Sequence, residues 1–193
     1  YGLRLAMKLS YSTKEVRDKL KAKEGGEECY KSVISRLKKE GFLNDEEYAY
    51  QYKEEKEGCC YGKNRILDTL RYEKGISDDI LSNLKFKNEE EHARAFVCAY
   101  QKKYDKYSYV EKSRKMSDAL RRRGFDEWVI NTVLSELTRN KDRETDYLSK
   151  TAASALKRYK TKYNDKDAKR KTIEYLLRKG YSMKDIYRTL EEQ

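Results

Sequence analysis

The sequence predicts an all-α protein built as a tandem array of three-helix repeats. Three observations carry this. Apolar residues recur at offsets of four, ten and four in four successive blocks. The blocks are Val16, Leu20, Tyr30, Ile34; Ile66, Leu70, Ile80, Leu84; Met116, Leu120, Ile130, Leu134; and Thr172, Leu176, Ile186, Leu190. Residues four apart share one helical face, and fixed spacing over several copies marks a repeat architecture. Second, glycine follows the leucine of each block (Gly25-Gly26, Gly75, Gly124, Gly180), and the last three turns read KGIS, RGFD and KGYS. Glycine takes up the left-handed conformation that ends a helix, and the Ser or Asp two residues on is placed to cap the next one. Third, no stretch alternates with a period of two, so no sheet is expected.

Each element follows from local chemistry. The chain starts at Tyr1 inside an amphipathic pattern (Leu3, Leu5, Ala6, Leu9) and reads as a fragment lacking an N-terminal segment. Ser12 and Glu15 form a capping box for the first hairpin, whose turn, GGEE, should differ from the others. Asn44 with Glu47 opens the helix EEYAYQYKEEKE, and Asp45, Glu46 and Glu47 complement its positive end. Ser77 is placed to cap the helix carrying Ile80 and Leu84, with Asp78 and Asp79 in its first turn. Asn88 with Glu91 opens EEHARAFVCAYQKKY. Residues 142–162 form the next leading helix through Leu148, Ala152, Ala155, Leu156 and Tyr159. Ser182 with Asp185 is a further box. The repeats are expected at 1–40, 41–87, 88–140 and 141–193. A unit of that size is marginal alone, so neighbours should share buried surface.

Composition narrows the classes. There is no proline, and the apolar fraction of 37% is low, but its patterning argues against disorder. The longest apolar run is AFVCAY at 95–100, too short for a transmembrane helix or a signal-peptide core. Cys29, Cys59, Cys60 and Cys98 include neither CxxC nor a zinc spacing, and His92 is the only histidine. The thiols are expected reduced and packed as small hydrophobes, in a cytoplasmic protein. His92 is expected at the surface and Trp128 in the core. No metal constellation or phosphate loop is visible, so neither cofactor nor enzyme chemistry is expected.

The net charge of +11 is unevenly spread. Residues 1–101 carry 20 basic and 19 acidic side chains, and residues 102–193 carry 25 and 15. The excess gathers around Lys106, Lys112, Arg114, Lys115, Arg121, Arg122 and Arg123. It gathers again around Lys157, Arg158, Lys160, Lys162, Lys166, Lys169, Arg170 and Lys171. Such clusters suit a polyanion, and the interleaved Tyr104, Tyr107, Tyr109, Tyr159 and Tyr163 are of the type that stacks on bases. The stripes Phe96–Tyr100–Tyr104 and Tyr159–Tyr163 equally suit inter-helix packing.

Two stretches carry a resemblance. Residues 41–49 read GFLNDEEYA and residues 62–75 read GKNRILDTLRYEKG. In that order and at that distance they resemble the RecX family, the bacterial modulators of RecA recombinase, and weaker likeness runs to Glu192. Four hairpins, where short members have three units, resemble the longer form. CCY before Gly62 departs from the family's small basic or aromatic residues there. The resemblance implies an elongated, curved tandem array of three-helix repeats. It also implies a monomeric, non-catalytic regulator in DNA repair and recombination. Such a protein binds the RecA filament on single-stranded DNA and modulates it, with inhibition the expected direction. It maps Lys63, Arg65, Arg71 and Lys74 onto basic positions of the family repeat. Charge adds Arg114, Lys115, Arg121, Arg122, Arg123, Lys157, Arg158, Lys169, Arg170 and Lys171. Two other readings stand beside it: a helix-turn-helix-like duplex-DNA binder acting without a recombinase, and a helical scaffold with an incidental basic surface.

Overall fold

The computed structural model describes residues 11–22 and 27–191. Among them the chain is helical, without strands. The helices are α1 (Thr13–Lys21), α2 (Glu27–Lys39), α3 (Asp45–Gly58), α4 (Lys63–Asp68), α5 (Asp78–Asn83) and α6 (Glu89–Tyr100). They continue with α7 (Tyr109–Arg122), α8 (Glu127–Ser135), α9 (Lys141–Lys160), α10 (Asp165–Arg178) and α11 (Met183–Glu191). No described helix is long and apolar enough to cross a membrane. The expected pattern at Leu3, Leu5, Ala6 and Leu9, the Gly25-Gly26 turn and Glu192 lie outside the described residues.

The chain folds into two compact units. The first comprises the residues up to Ala93 together with Arg122–Asp126; the second comprises Arg94–Arg121 and the residues from Glu127 onward. In the first unit Val16, Ile34, Leu37 and Leu43 form one core, with Leu20 and Tyr30 packed on it. Ala49, Ile66, Leu70, Ile76 and Leu81 form another. In the second unit Leu148, Ala152, Leu176, Tyr181 and Ile186 pack together, as α9 lies against α10 and α11. Met116, Leu120, Ile130 and Leu134 are buried there too. The four-ten-four frame thus marks the faces that leave water.

The turns obey the expected chemistry. Gly75, Gly124 and Gly180 have φ of +69°, +84° and +81°. Ser12 and Glu15 make the full capping box, while Asn44 accepts from the N–H groups of Glu46 and Glu47 at 3.0 and 3.2 Å. The helix after Gly62 widens into a π turn over Thr69–Glu73, where the Lys74 N–H donates to the Thr69 carbonyl at 3.0 Å.

Several expectations are corrected. Ser77 precedes α5, but its side chain makes no cap bond; α5 is short and buries Leu81 more fully than Ile80. Asn88 sits at φ +52°, not in the extended conformation of a cap. Trp128 is 58% exposed. Val129, Ile130, Val133 and Leu134 complete the buried stripe of α8 and leave Trp128 off it. The cysteines are free, as expected, but Cys29, Cys59 and Cys98 are exposed and Cys60 is half-buried. Cys29 and Cys98 sit off the apolar face of their helices, and Cys59 and Cys60 lie in the turn closing α3.

Candidate nucleic-acid and filament interface

The basic residues are positioned by a junction that occurs three times among the described residues. Each time, the N-terminus of a hairpin's first helix receives the Lys/Arg-Gly turn of the next hairpin and a carboxylate from the helix between them. The first turn of a helix has N–H groups without intrahelical partners and a positive dipole end, so both acceptors are favourable there.

At α1, the Thr13 N–H donates to Asp45 Oδ1 at 2.7 Å, and Ser12 Oγ donates to the Lys74 carbonyl at 2.7 Å. Lys74 Nζ then donates to Glu15 Oε1 at 2.6 Å. At α7, the Tyr109 N–H donates to Glu144 Oε1 at 2.9 Å, Ser108 Oγ donates to the Lys179 carbonyl, and Lys179 Nζ reaches Glu111 at 3.3 Å. At α4, the Lys63 N–H donates to Glu89 Oε1 at 2.9 Å. The Gly62 and Asn64 N–H groups donate to the Arg123 and Gly124 carbonyls at 2.8 and 3.1 Å. The cap is glycine here, and Arg123 meets no glutamate at the position of Glu15 and Glu111, which Arg65 occupies. Arg123 donates to the Cys59 and Cys60 carbonyls at 2.7 and 3.2 Å and lies over the Tyr61 ring at 4.8 Å. The CCY departure thus supplies backbone acceptors and a ring face for Arg123.

The charges at these junctions are tuned. Burial opposes ionisation of Glu15, but the bonds from Lys74, the Ser12 N–H and Tyr48 outweigh it, and the carboxyl is held below its ordinary value of 4.5. The same bond to Glu15 holds Lys74 up against burial. Burial, with the Glu15 charge adding, pushes Tyr48 up to about 12. Burial also pushes Glu89 up, against the bond from the Lys63 N–H. A carboxyl depressed by folding contributes stability above its unfolded value that is lost as pH falls through its folded value. Thermal melts stepped down through the carboxylate range should show a shallower acid loss for Glu15→Gln than for the unsubstituted chain. Identical slopes would mean the Lys74 contact is not formed in solution.

The sequence-nominated cations therefore divide. Lys74 and Arg123 spend their charge inside the fold. Arg71 pairs with Asp78 at 2.8 Å, Arg121 with Glu127 at 3.0 Å, Arg170 with Asp167 at 3.0 Å and Lys171 with Glu174 at 3.1 Å. Lys115 lies 3.7 Å from Glu111 and over Tyr107 at 4.6 Å. Lys63 lies over Phe86 at 5.8 Å, and Arg158 over Tyr159 and Tyr175 at 4.8 and 5.2 Å. Arg65, Arg114, Arg122, Lys157 and Lys169 are exposed and have no ion-pair partner among the described residues. Within the first unit the structure brings Arg65 beside the Arg123-Gly124 turn. Within the second it sets Lys157 and Arg158 on a helix packed against the one bearing Lys169, Arg170 and Lys171. The tyrosines largely pack: Phe96 stacks on Tyr100 at 4.5 Å, and Tyr159 meets Tyr163 at 6.3 Å. The locking roles of Ser108 and Lys179 were missed. Their signal was the recurrence of Tyr-Ser-x-x-Glu at residues 11–15 and 107–111.

Comparison with known proteins completes this picture. The family description "RecX, third three-helix domain" matches residues 142–190. Regulatory protein RecX of Lacticaseibacillus casei is 30% identical over 196 residues, spanning 99% of this chain and 74% of the relative. Regulatory protein RecX of Bacillus subtilis is 33% identical over 195 residues, spanning 96% and 73%. The chain belongs to the RecX family. The crystal structure of RecX from Lactobacillus salivarius aligns with a TM-score of 0.59 at 26% identity, over 70% of this chain and 94% of that one. An all-α helical repeat is thus common to this chain and a solved RecX. The RecX domain matched at 142–190 contains the core of Leu148, Leu176 and Ile186 and the third junction's Lys179-Gly180 turn.

Proposed function

We propose that this RecX family regulator binds a RecA recombinase filament on single-stranded DNA and lowers its activity without catalysing a reaction itself. The observation that carries the reading is the relationship to RecX regulatory proteins over nearly the whole chain. The unpaired cations Arg65, Arg114, Arg122, Lys157 and Lys169 support it, because they are free to meet phosphates. Arg71, Lys115, Arg121, Arg170 and Lys171, which pair with carboxylates, and Lys63 and Arg158, which lie over aromatic rings, form a second tier. Lys74 and Arg123 contribute through the fold. Exposed Trp128 supplies an aromatic anchor of the kind that dominates protein contacts.

The test uses preformed RecA filaments on single-stranded DNA. Adding the chain should lower ATP hydrolysis and shorten the filaments. Arg114→Glu/Lys157→Glu/Lys169→Glu should weaken both effects while melting like the unsubstituted chain, since all three side chains are exposed and unpaired. A full effect from the triple variant sinks the assignment of these cations, and filaments untouched by the unsubstituted chain sink the reading. One feature favours a second reading. α10 and α11 are joined by the short turn Lys179–Ser182 around Gly180, the connection of a helix-turn-helix. Tight, sequence-dependent duplex binding without effect on filaments would select it.

A further inference from the structure

In the second unit an open cavity of about 240 Å³ lies between α9 and α10, lined by Lys150, Thr151, Ser154, Ala155, Arg158 and Tyr175. Lys150, Ser154 and Arg158 are spaced four residues apart, so they form one stripe along α9. Among the described residues no carboxylate lines the cavity. Lys150 has no ion-pair partner among the described residues; its ammonium lies 6.0 Å from the Tyr147 ring. Arg158 is held by aromatic faces instead of an acid: Tyr159 at 4.8 Å, Tyr175 at 5.2 Å, and a bond from Nη2 to the Tyr159 hydroxyl at 3.2 Å. An arginine oriented this way keeps its full charge and most of its donors for a ligand. Ser154 adds a hydroxyl between the two cations.

We infer that this groove is a seat for the phosphodiester backbone of a single nucleic-acid strand, with Lys150 and Arg158 contacting different phosphates and Ser154 donating between them. The inference rests on the strand-binding part of the proposed function and gives it a location. The spacing of the two cations suits a strand. Lys150 and Arg158 are eight residues apart on one helix, about 12 Å along its axis. At about 3.4 Å per stacked nucleotide that length spans three to four, so two phosphates of one strand fit along it. A nucleoside polyphosphate offers the same chemistry over a shorter reach, and the test includes it.

Fluorescence anisotropy with a labelled oligo-dT strand, at several salt concentrations, tests the seat. Each neutralised phosphate contributes about 0.7 to the slope of log K against log salt on single strands. Lys150→Gln should lower the slope by about 0.7, and Lys150→Gln/Arg158→Gln by about 1.4. Ser154→Ala should weaken binding without changing the slope. Lys150→Gln leaves the Arg158–Tyr175 stack intact, so its result stands even if the double variant is less stable. Unchanged affinity and slope in Lys150→Gln overturn the seat, as does an unsubstituted chain that binds no oligo-dT. ATP binding lost in the variants with oligo-dT binding intact reassigns the groove to a nucleotide. The same variants added to RecA filaments separate the two readings. A full filament effect beside unchanged oligo-dT binding overturns the seat alone. Salt-sensitive oligo-dT binding lost in Lys150→Gln, beside filaments untouched by the unsubstituted chain, supports the seat and overturns only the filament reading.

Discussion

Gly124→Ala is expected to destabilise the first unit by about 2–5 kcal/mol, the sum of a left-handed backbone penalty and overpacking. Gly124 has φ +84°, and a Cβ there would collide with the Arg65 backbone nitrogen and Cβ. Those atoms belong to the first turn of α4, which is fixed in place by the Asn64 N–H bond to the Gly124 carbonyl. Neither side can retreat without breaking the junction. Gly62→Ala meets the same wall from the opposite side, since its Cβ would collide with the Gly124 carbonyl group and the Phe125 nitrogen. Gly41→Ala is the comparison. Its φ of +77° is equally left-handed, but nothing lies within 4 Å of the added carbon. It should cost only the backbone part, about 1–2 kcal/mol. Urea unfolding of the three variants measures the difference directly. Equal losses at Gly41 and Gly124 would mean the close approach at α4 is not made.

Leu176→Ala should cost about 2–5 kcal/mol, and Leu177→Ala no more than about 0.5. The two are neighbours on α10 with the same side chain. Leu176 is fully buried against Leu148, Ala152, Tyr181 and Ile186, where its removal leaves a cavity that the helices around it fill only partly. Leu177 is 39% exposed. Thermal melts of the two variants test the four-ten-four frame itself. If Leu177→Ala were the more damaging, the frame would be displaced by one residue in the last repeat.

Much of this was legible beforehand. The leucines at 20, 70, 120 and 176 pack on or within cores, and the three described glycine turns are left-handed. Trp128 lies outside the stripe of Val129, Ile130, Val133 and Leu134, a placement that the spacing of its neighbours carries and its own hydrophobicity does not. The same holds for the cysteines, each lying off the apolar face or in a turn.

The helices, most of their turns and most of the faces they bury follow from local sequence alone. These depend on a 3.6-residue period and on caps a few residues long, so every partner lies within the reading window. Which cations stay free depends instead on contacts between distant segments. Lys74 meets Glu15 across 59 residues, Arg123 meets the Cys59 carbonyl across 64, and Ser108 meets the Lys179 carbonyl across 71. A lysine committed to a half-buried acid and a lysine open to a phosphate are the same letter in the chain. What separates them is the approach of a distant helix end, whose unsatisfied N–H groups and dipole select the partner only once the repeats have packed.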